Sequence, residues 1–103
     1  MAVDVFAALA DPTRRQVVSQ LASNETVTAT QLARQLRVTR QAVAKHLSAL
    51  TDAGLAAARR EGRETRYRFT PEPLEEAVSW IASVGGQWDE RLARLERHVG
   101  RRG

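Results

Sequence analysis

Residues 38–50 read VTRQAVAKHLSAL. Val43, Leu47 and Leu50 fall at i, i+4 and i+7, so they share one face of a helix. Thr39 stands in the N-cap position, its hydroxyl oxygen placed to accept a backbone N–H of the first turn. The other face carries Arg40, Gln41, Ala44, Lys45 and Ser48. The pattern predicts a helix from about Arg40 to Ala53, with Gly54 as the residue that ends it. One face has an apolar scaffold to rest on, and the other offers donors and cations to something outside. His46 adjoins Val43 and Leu47 and is expected to be structural, bonded to backbone or to a neighbour.

The flanking segments supply the scaffold. Upstream, Thr28-Ala29-Thr30-Gln31 matches a capping box and opens a helix with Leu32, Ala33 and Leu36 inward. Arg37-Val38 is left as a tight link between the two helices. Near the start, VDVFAALA predicts a short helix with Val3, Phe6 and Leu9 or Ala10 on one side. Asp11-Pro12 reads as an N-cap followed by a proline at the first helical position. That second helix runs to about Ala22 with Val17, Val18 and Leu21 inward. Arg14 and Arg15 near its start are in mildly unfavourable places for cations, and pairing with acids is expected. SNETVT reads as a polar loop.

Downstream, AAARREGRETRYRF alternates Tyr67 and Phe69 with Arg66, Arg68 and Thr70, the pattern of a half-buried strand. Gly62 separates two short strands, so the segment predicts a hairpin with arginines on its tip and outer face. From Pro71, Leu74, Val78, Ile81, Gly85, Trp88, Leu92, Leu95 and Val99 alternate in steps of four and three. That is the seam of a helix packing along another helix. Gly85-Gly86 weakens its middle by roughly 1 kcal/mol per glycine.

Charge is distributed unevenly. The 103 residues carry a net charge of +4, and 43% of them are hydrophobic. From Arg34 to Arg68 nine cations face only Asp52, Glu61 and Glu64, while the rest of the chain is net negative. A basic middle third suits a polyanion. Lys45 is the only lysine. Arginine matches phosphate and base edges bidentately, although an arginine-rich genome would give the same bias. There is no cysteine, which removes disulfides and thiolate metal sites. No apolar run reaches the roughly 18 residues of a membrane span. The first residues, MAVDVFAALADPTRR, carry Asp4 and no early cation, unlike a signal peptide. A cytoplasmic location is expected. With two histidines, no glycine-rich phosphate loop and no nucleophile elbow, catalysis is not expected.

Two short capped helices followed by a basic hairpin make a helix-turn-helix with a wing. One α-helix fits the major groove of B-DNA, where first-turn side chains meet base edges. Arg40 and Gln41 can make bidentate contacts to guanine and adenine. Ala44 permits close approach, Lys45 reaches phosphate, and Arg59, Arg60, Arg63 and Arg66 would touch the flanking backbone or minor groove. A winged helix used for protein contact, or a single-strand or RNA binder, are the alternatives. The latter wants exposed aromatics, and Tyr67 is placed inward by alternation.

The segments ADPTRRQVV, QLARQLRVTRQAVAKHLSALTDAGL and RREGRETRYRF resemble the winged-helix regulators of the ArsR (SmtB/ArsR) type over roughly residues 3–99. The resemblance implies a homodimeric repressor joined through its first and last helices. It places Thr39, Arg40, Gln41, Ala44 and Lys45 on the recognition helix and Gly62 at the wing turn. The metal-sensing cysteine motif is absent from TATQLARQL, and the last helix holds no Asp-x-His pair, so the chain is more like the non-metal branch. No metal or other cofactor is expected. The family often has glycine at the bend where Arg37 stands.

The expected fold is mainly α with a small β-hairpin wing, one winged-helix domain over residues 1–103. Within it lie N-terminal helices (1–22), a helix-turn-helix (28–53), a wing (55–69) and a dimerisation helix (71–99). The expected DNA contacts are Thr39, Arg40, Gln41, Ala44, Lys45, Ser48, Arg59, Arg60, Arg63 and Arg66. The expected dimer contacts are Val3, Phe6, Leu74, Val78, Ile81, Trp88, Leu92 and Leu95. The partners are double-stranded DNA, in the form of an inverted-repeat operator, and a second copy of the chain. No effector is indicated.

Overall fold

The computed structural model describes the backbone of residues 2–100 and the side chains of residues 5–97. The elements run α1 (Ala2–Ala8), α2 (Pro12–Ser23), β1 (Val27–Thr28), α3 (Ala29–Leu36), α4 (Arg40–Asp52), β2 (Ala56–Glu61), β3 (Glu64–Phe69) and α5 (Glu72–Gly100). It is a mainly helical winged helix-turn-helix. The core is built from Val5 and Ala8 of α1, Val17 and Leu21 of α2, and Leu32 of α3. Val43, Leu47 and Leu50 of α4, all fully buried, join Leu55 and Ala77. The three α4 residues are the i, i+4, i+7 set of the opening segment.

Local chemistry explains the helix starts. Asp11 caps α2 by accepting the Arg14 N–H at 3.0 Å, and this bond holds its carboxyl below the ordinary carboxylate range. Thr28 and Gln31 complete the capping box of α3 in both directions, at 3.2 and 2.9 Å. Thr39 caps α4 through Ala42 N–H at 3.1 Å. At the end of α4, Gly54 has φ +79°, and Leu55 N–H returns to Leu50 O at 2.9 Å. This is the closure that a left-handed residue permits.

Several expectations change. SNETVT is not simply a loop. Its Val27 and Thr28 form β1, paired antiparallel with Tyr67 and Arg66, so the sheet has three strands in the order β1-β3-β2. A two-residue strand lies below what periodicity can detect. Among the described residues Arg14 and Arg15 pair with no acid. Arg15 donates to Leu9 O at 2.7 Å and Arg14 to Ala8 O at 3.5 Å, so both cations answer the carbonyls at the end of α1. A helix C-terminus attracts positive charge. His46 is half-buried and accepts a bond from Arg14 Nε at its Nδ1. Val18 is only half-buried. Val3, His98 and Val99 lie outside the described side chains.

Arg37 occupies the bend between α3 and α4 in the left-handed region, with φ 56° and ψ 42°. It is the only non-glycine residue there among the described residues. Val38 N–H closes the turn on Ala33 O at 3.2 Å. A Cβ is crowded in this conformation, by roughly 1–2 kcal/mol, and glycine is free of the penalty but loses more entropy on folding. Arg37→Gly is therefore expected to stabilise the chain by about 0.5–1 kcal/mol. The denaturant midpoint should rise at unchanged m value. An unchanged or lower midpoint counts against strain at this bend.

The long helix α5 passes through Gly85-Gly86 without a break, and a Cβ at either glycine would meet nothing within 4 Å. Only its start belongs to the domain. Ala77 is buried in the core and Leu74, partly buried, packs against it. Beyond them Val78, Trp80, Ile81, Val84, Trp88, Leu92 and Leu95 are all exposed. Phe6 of α1 is also exposed and meets Trp80 edge-on, with ring centroids 5.6 Å apart. No described helix is long and apolar enough to cross a membrane.

Candidate nucleic-acid interface

The α4 face opposite the core presents Arg40, Gln41, Ala44, Lys45 and Ser48, all exposed. Thr39 is exposed too. Its oxygen accepts the cap bond, and its hydroxyl proton remains to be donated outward. The six residues expected from sequence thus lie on one helix and its cap.

The wing divides by face. Residues directly opposite across an antiparallel pair share a face of the sheet. The register pairs Ala56 with Phe69, Ala58 with Tyr67 and Arg60 with Thr65 on one side. On the other side it pairs Ala57 with Arg68, Arg59 with Arg66 and Glu61 with Glu64. The turn is Gly62-Arg63, with φ +61° at Gly62 alone, as a two-residue hairpin loop with glycine first requires.

The two wing faces differ electrically. An open groove of about 510 Å³ runs between α3, α4 and the first face. Arg34, Arg40, Arg60 and Arg63 line it, with Ala44, Thr30 and Tyr67. Glu64 is its only acid. Arg59 and Arg66 lie on the far face. Arg66 is held there by Glu64 at 3.2 Å, Glu61 at 3.5 Å and Thr26 Oγ1 at 3.2 Å. Such exposed pairs contribute little to stability. They do neutralise Arg66 locally. Of the four wing arginines expected at the interface, the structure brings Arg60 and Arg63 to the groove beside Arg40, and not Arg59 or Arg66.

Sequence reasoning missed Arg34. It is on the polar side of α3, one turn after Thr30, and opens the basic stretch of the chain. That spacing was the available signal, but its meeting with Arg60 and Arg63 depends on the tertiary fold. Four guanidinium groups around an open groove give it the charge that suits a polyanion. Among the described residues no group of three His, Cys, Asp or Glu side chains is placed to hold a metal.

The comparisons with known proteins agree with this geometry. Residues 9–58 match the family described as "Helix-turn-helix domain". An uncharacterised HTH-type transcriptional regulator of Bacillus subtilis, YuzN, is 39% identical, covering 75% of this chain and 91% of that protein. The structure of an ArsR-like transcriptional regulator from Rhodococcus sp. RHA1 superposes with a TM-score of 0.81 at 40% identity. It covers 93% of this chain and 90% of the other. A homodimeric winged helix-turn-helix DNA-binding domain from Mycobacterium bovis, a possible ArsR-family regulator, superposes with a TM-score of 0.65 at 27% identity. There 82% of this chain and 78% of the other are covered. A winged fold, a cationic groove beside an outward-facing helix and this degree of identity leave one assignment: the chain belongs to the ArsR family of helix-turn-helix transcriptional regulators and is not an enzyme.

Proposed function

We infer that the protein is a cytoplasmic homodimeric repressor that reads an inverted-repeat operator in double-stranded DNA. The observation that carries this reading is that α4's polar face and the four-arginine groove belong to one side of the molecule. In this reading α4 enters the major groove. Arg40 and Gln41 read base edges, Ala44 permits close approach, and Thr39, Lys45 and Ser48 meet phosphate. Arg60, Arg63 and Arg34 follow the flanking backbone, and Arg59 and Arg66 have a lesser part.

Phe6, Val78, Ile81, Trp88, Leu92 and Leu95, joined by Trp80 and Val84, supply the apolar face for a second copy. A two-fold axis through α5 sets two recognition helices about one DNA turn apart, roughly 34 Å. Bound across a promoter, the dimer blocks transcription by occupancy.

Selection of bound DNA from a random pool tests this directly. An inverted repeat with half-sites about one helical turn apart is expected, and a pool with no enriched motif would overturn it. Within the motif, Arg40→Ala and Gln41→Ala should each relax preference at one or two positions per half-site, by about 1–3 kcal/mol. If both variants select the wild-type motif, bases are read elsewhere or through DNA shape.

A further inference from the structure

Behind the reading face, one side chain touches both the recognition helix and α1, the short helix packed on the long helix that carries the dimer surface. Arg14 of α2 donates from Nε to Nδ1 of His46 on α4 at 3.3 Å. Its NH1 lies 3.5 Å from Ala8 O at the end of α1. An arginine Nε can only donate, so Nδ1 is the acceptor in this bond. On its other side α1 is joined to α5. Val5 and Ala8 share the core with Ala77, and Phe6 meets Trp80.

The space Arg14 spans is otherwise open. A cleft of about 370 Å³ has Ala7 and Ala8 of α1 on one wall and Ala49 and Ala53 on the other, with Arg14 and Asp52 beside them. Alanines reach no further than their own helix. The guanidinium is the group that bonds to both.

We propose that Arg14 is a positioning residue that sets the angle between the recognition helix and the α1–α5 dimer platform, and through it the half-site spacing the dimer accepts. The proposal rests on the DNA-reading dimer described above. Its leverage is geometric. Thirteen residues of α4 span about 20 Å at 1.5 Å per residue. His46, the residue Arg14 holds, stands six residues from Arg40, an arm of about 9 Å, so a rotation of about 10° moves the reading residues by roughly 1.6 Å in each subunit and by about 3 Å summed over the two, close to the ~3.4 Å step between base pairs. A small change of angle in each subunit is therefore enough to put the two helices out of register with a fixed operator.

The test uses the selected operator, the same half-sites one base pair closer and one base pair further apart, and a lone half-site. Arg14→Ala and His46→Leu should hold the lone half-site within about twofold of wild type. They should bind the cognate pair at least tenfold more weakly and discriminate the three spacings by less than threefold. In His46→Asn the side-chain oxygen stands where Nδ1 stood, and spacing selectivity should be retained. Should Arg14→Ala fail to fold, the two His46 variants make the same comparison. Wild-type spacing ratios in Arg14→Ala or His46→Leu would overturn the proposal. So would an equal loss on half-site and pair, or His46→Asn behaving like His46→Leu. Wild-type protein that binds the lone half-site as tightly as the pair would overturn the dimeric reading, and the proposal with it.

Discussion

Leu92→Asp is expected to give a folded monomer whose operator affinity is lower by a factor on the order of 100 or more, the avidity that two joined half-sites confer. The reason is the shape of the chain. Its radius of gyration is 19.2 Å and its longest extent 70 Å. A compact domain of this length has a radius of about 13 Å. The excess is α5, whose 29 residues reach about 43 Å at 1.5 Å each. Its outer part carries Val84, Trp88, Leu92 and Leu95 in water. Each such side chain is worth about 1.5–3 kcal/mol when fully buried. In the proposed dimer a second copy covers them, and a carboxylate at position 92 would then be buried without a partner. Leu92 takes no part in the core of the winged domain, so that domain should keep its fold, checked by circular dichroism. Sedimentation at micromolar concentration and titration of the operator give the two readouts. Wild-type protein sedimenting as an 11.4 kDa monomer that still binds the full palindrome tightly would sink the arrangement.

Arg60→Ala combined with Arg63→Ala should weaken binding to all sequences alike, by a factor on the order of 100 or more at physiological salt. In the proposed complex the dimer would lose four cations at the phosphates. Each contact accounts for about 0.9 in the slope of log K against log salt, so the slope should flatten by roughly 3 to 4. The companion variant, Arg59→Ala with Arg66→Ala, removes the same formal charge from the far face of the wing. There Arg66 is already held by Glu61 and Glu64. Its slope should change far less. Equal changes in the two double variants would show that the face assignment does not govern contact with DNA.

The contrast between those pairs marks how far the sequence can be read. The apolar set Val43, Leu47 and Leu50 placed α4, and Thr28-Gln31, Thr39 and Gly54 placed its neighbours and ends, because capping and helical period are properties of adjacent residues. The alternation around Tyr67 placed β3 for the same reason. What was not legible needed a partner distant in the chain. Val27 pairs with Tyr67 forty residues on, and that pairing makes β1 a strand. The faces of Arg59 and Arg60 follow from register, which a one-residue slip would exchange. Arg34 meets Arg60 and Arg63 only after α3 and the wing have come together. Arg14 and Arg15 answer backbone carbonyls, which leave no mark in a list of side chains. Leu74 had the period of the seam, and only packing shows that part of it also rests on its own domain.

Thr28 ends β1 and caps α3 at once. The wing is therefore stitched to the helix-turn-helix by a backbone ladder on one side of that residue and by a capping box on the other. Nothing between the two contacting parts is left to stretch. A reading head built in this way behaves as a stiff caliper, and the mismatch between it and straight B-DNA falls on the DNA. If α4 and the wing both meet DNA as proposed, operators whose intervening steps bend easily should gain affinity. The selected motif should then carry information at positions in that gap. An insertion that loosens the join after Thr26 should erase it there first, while preference at the bases opposite Arg40 and Gln41 persists.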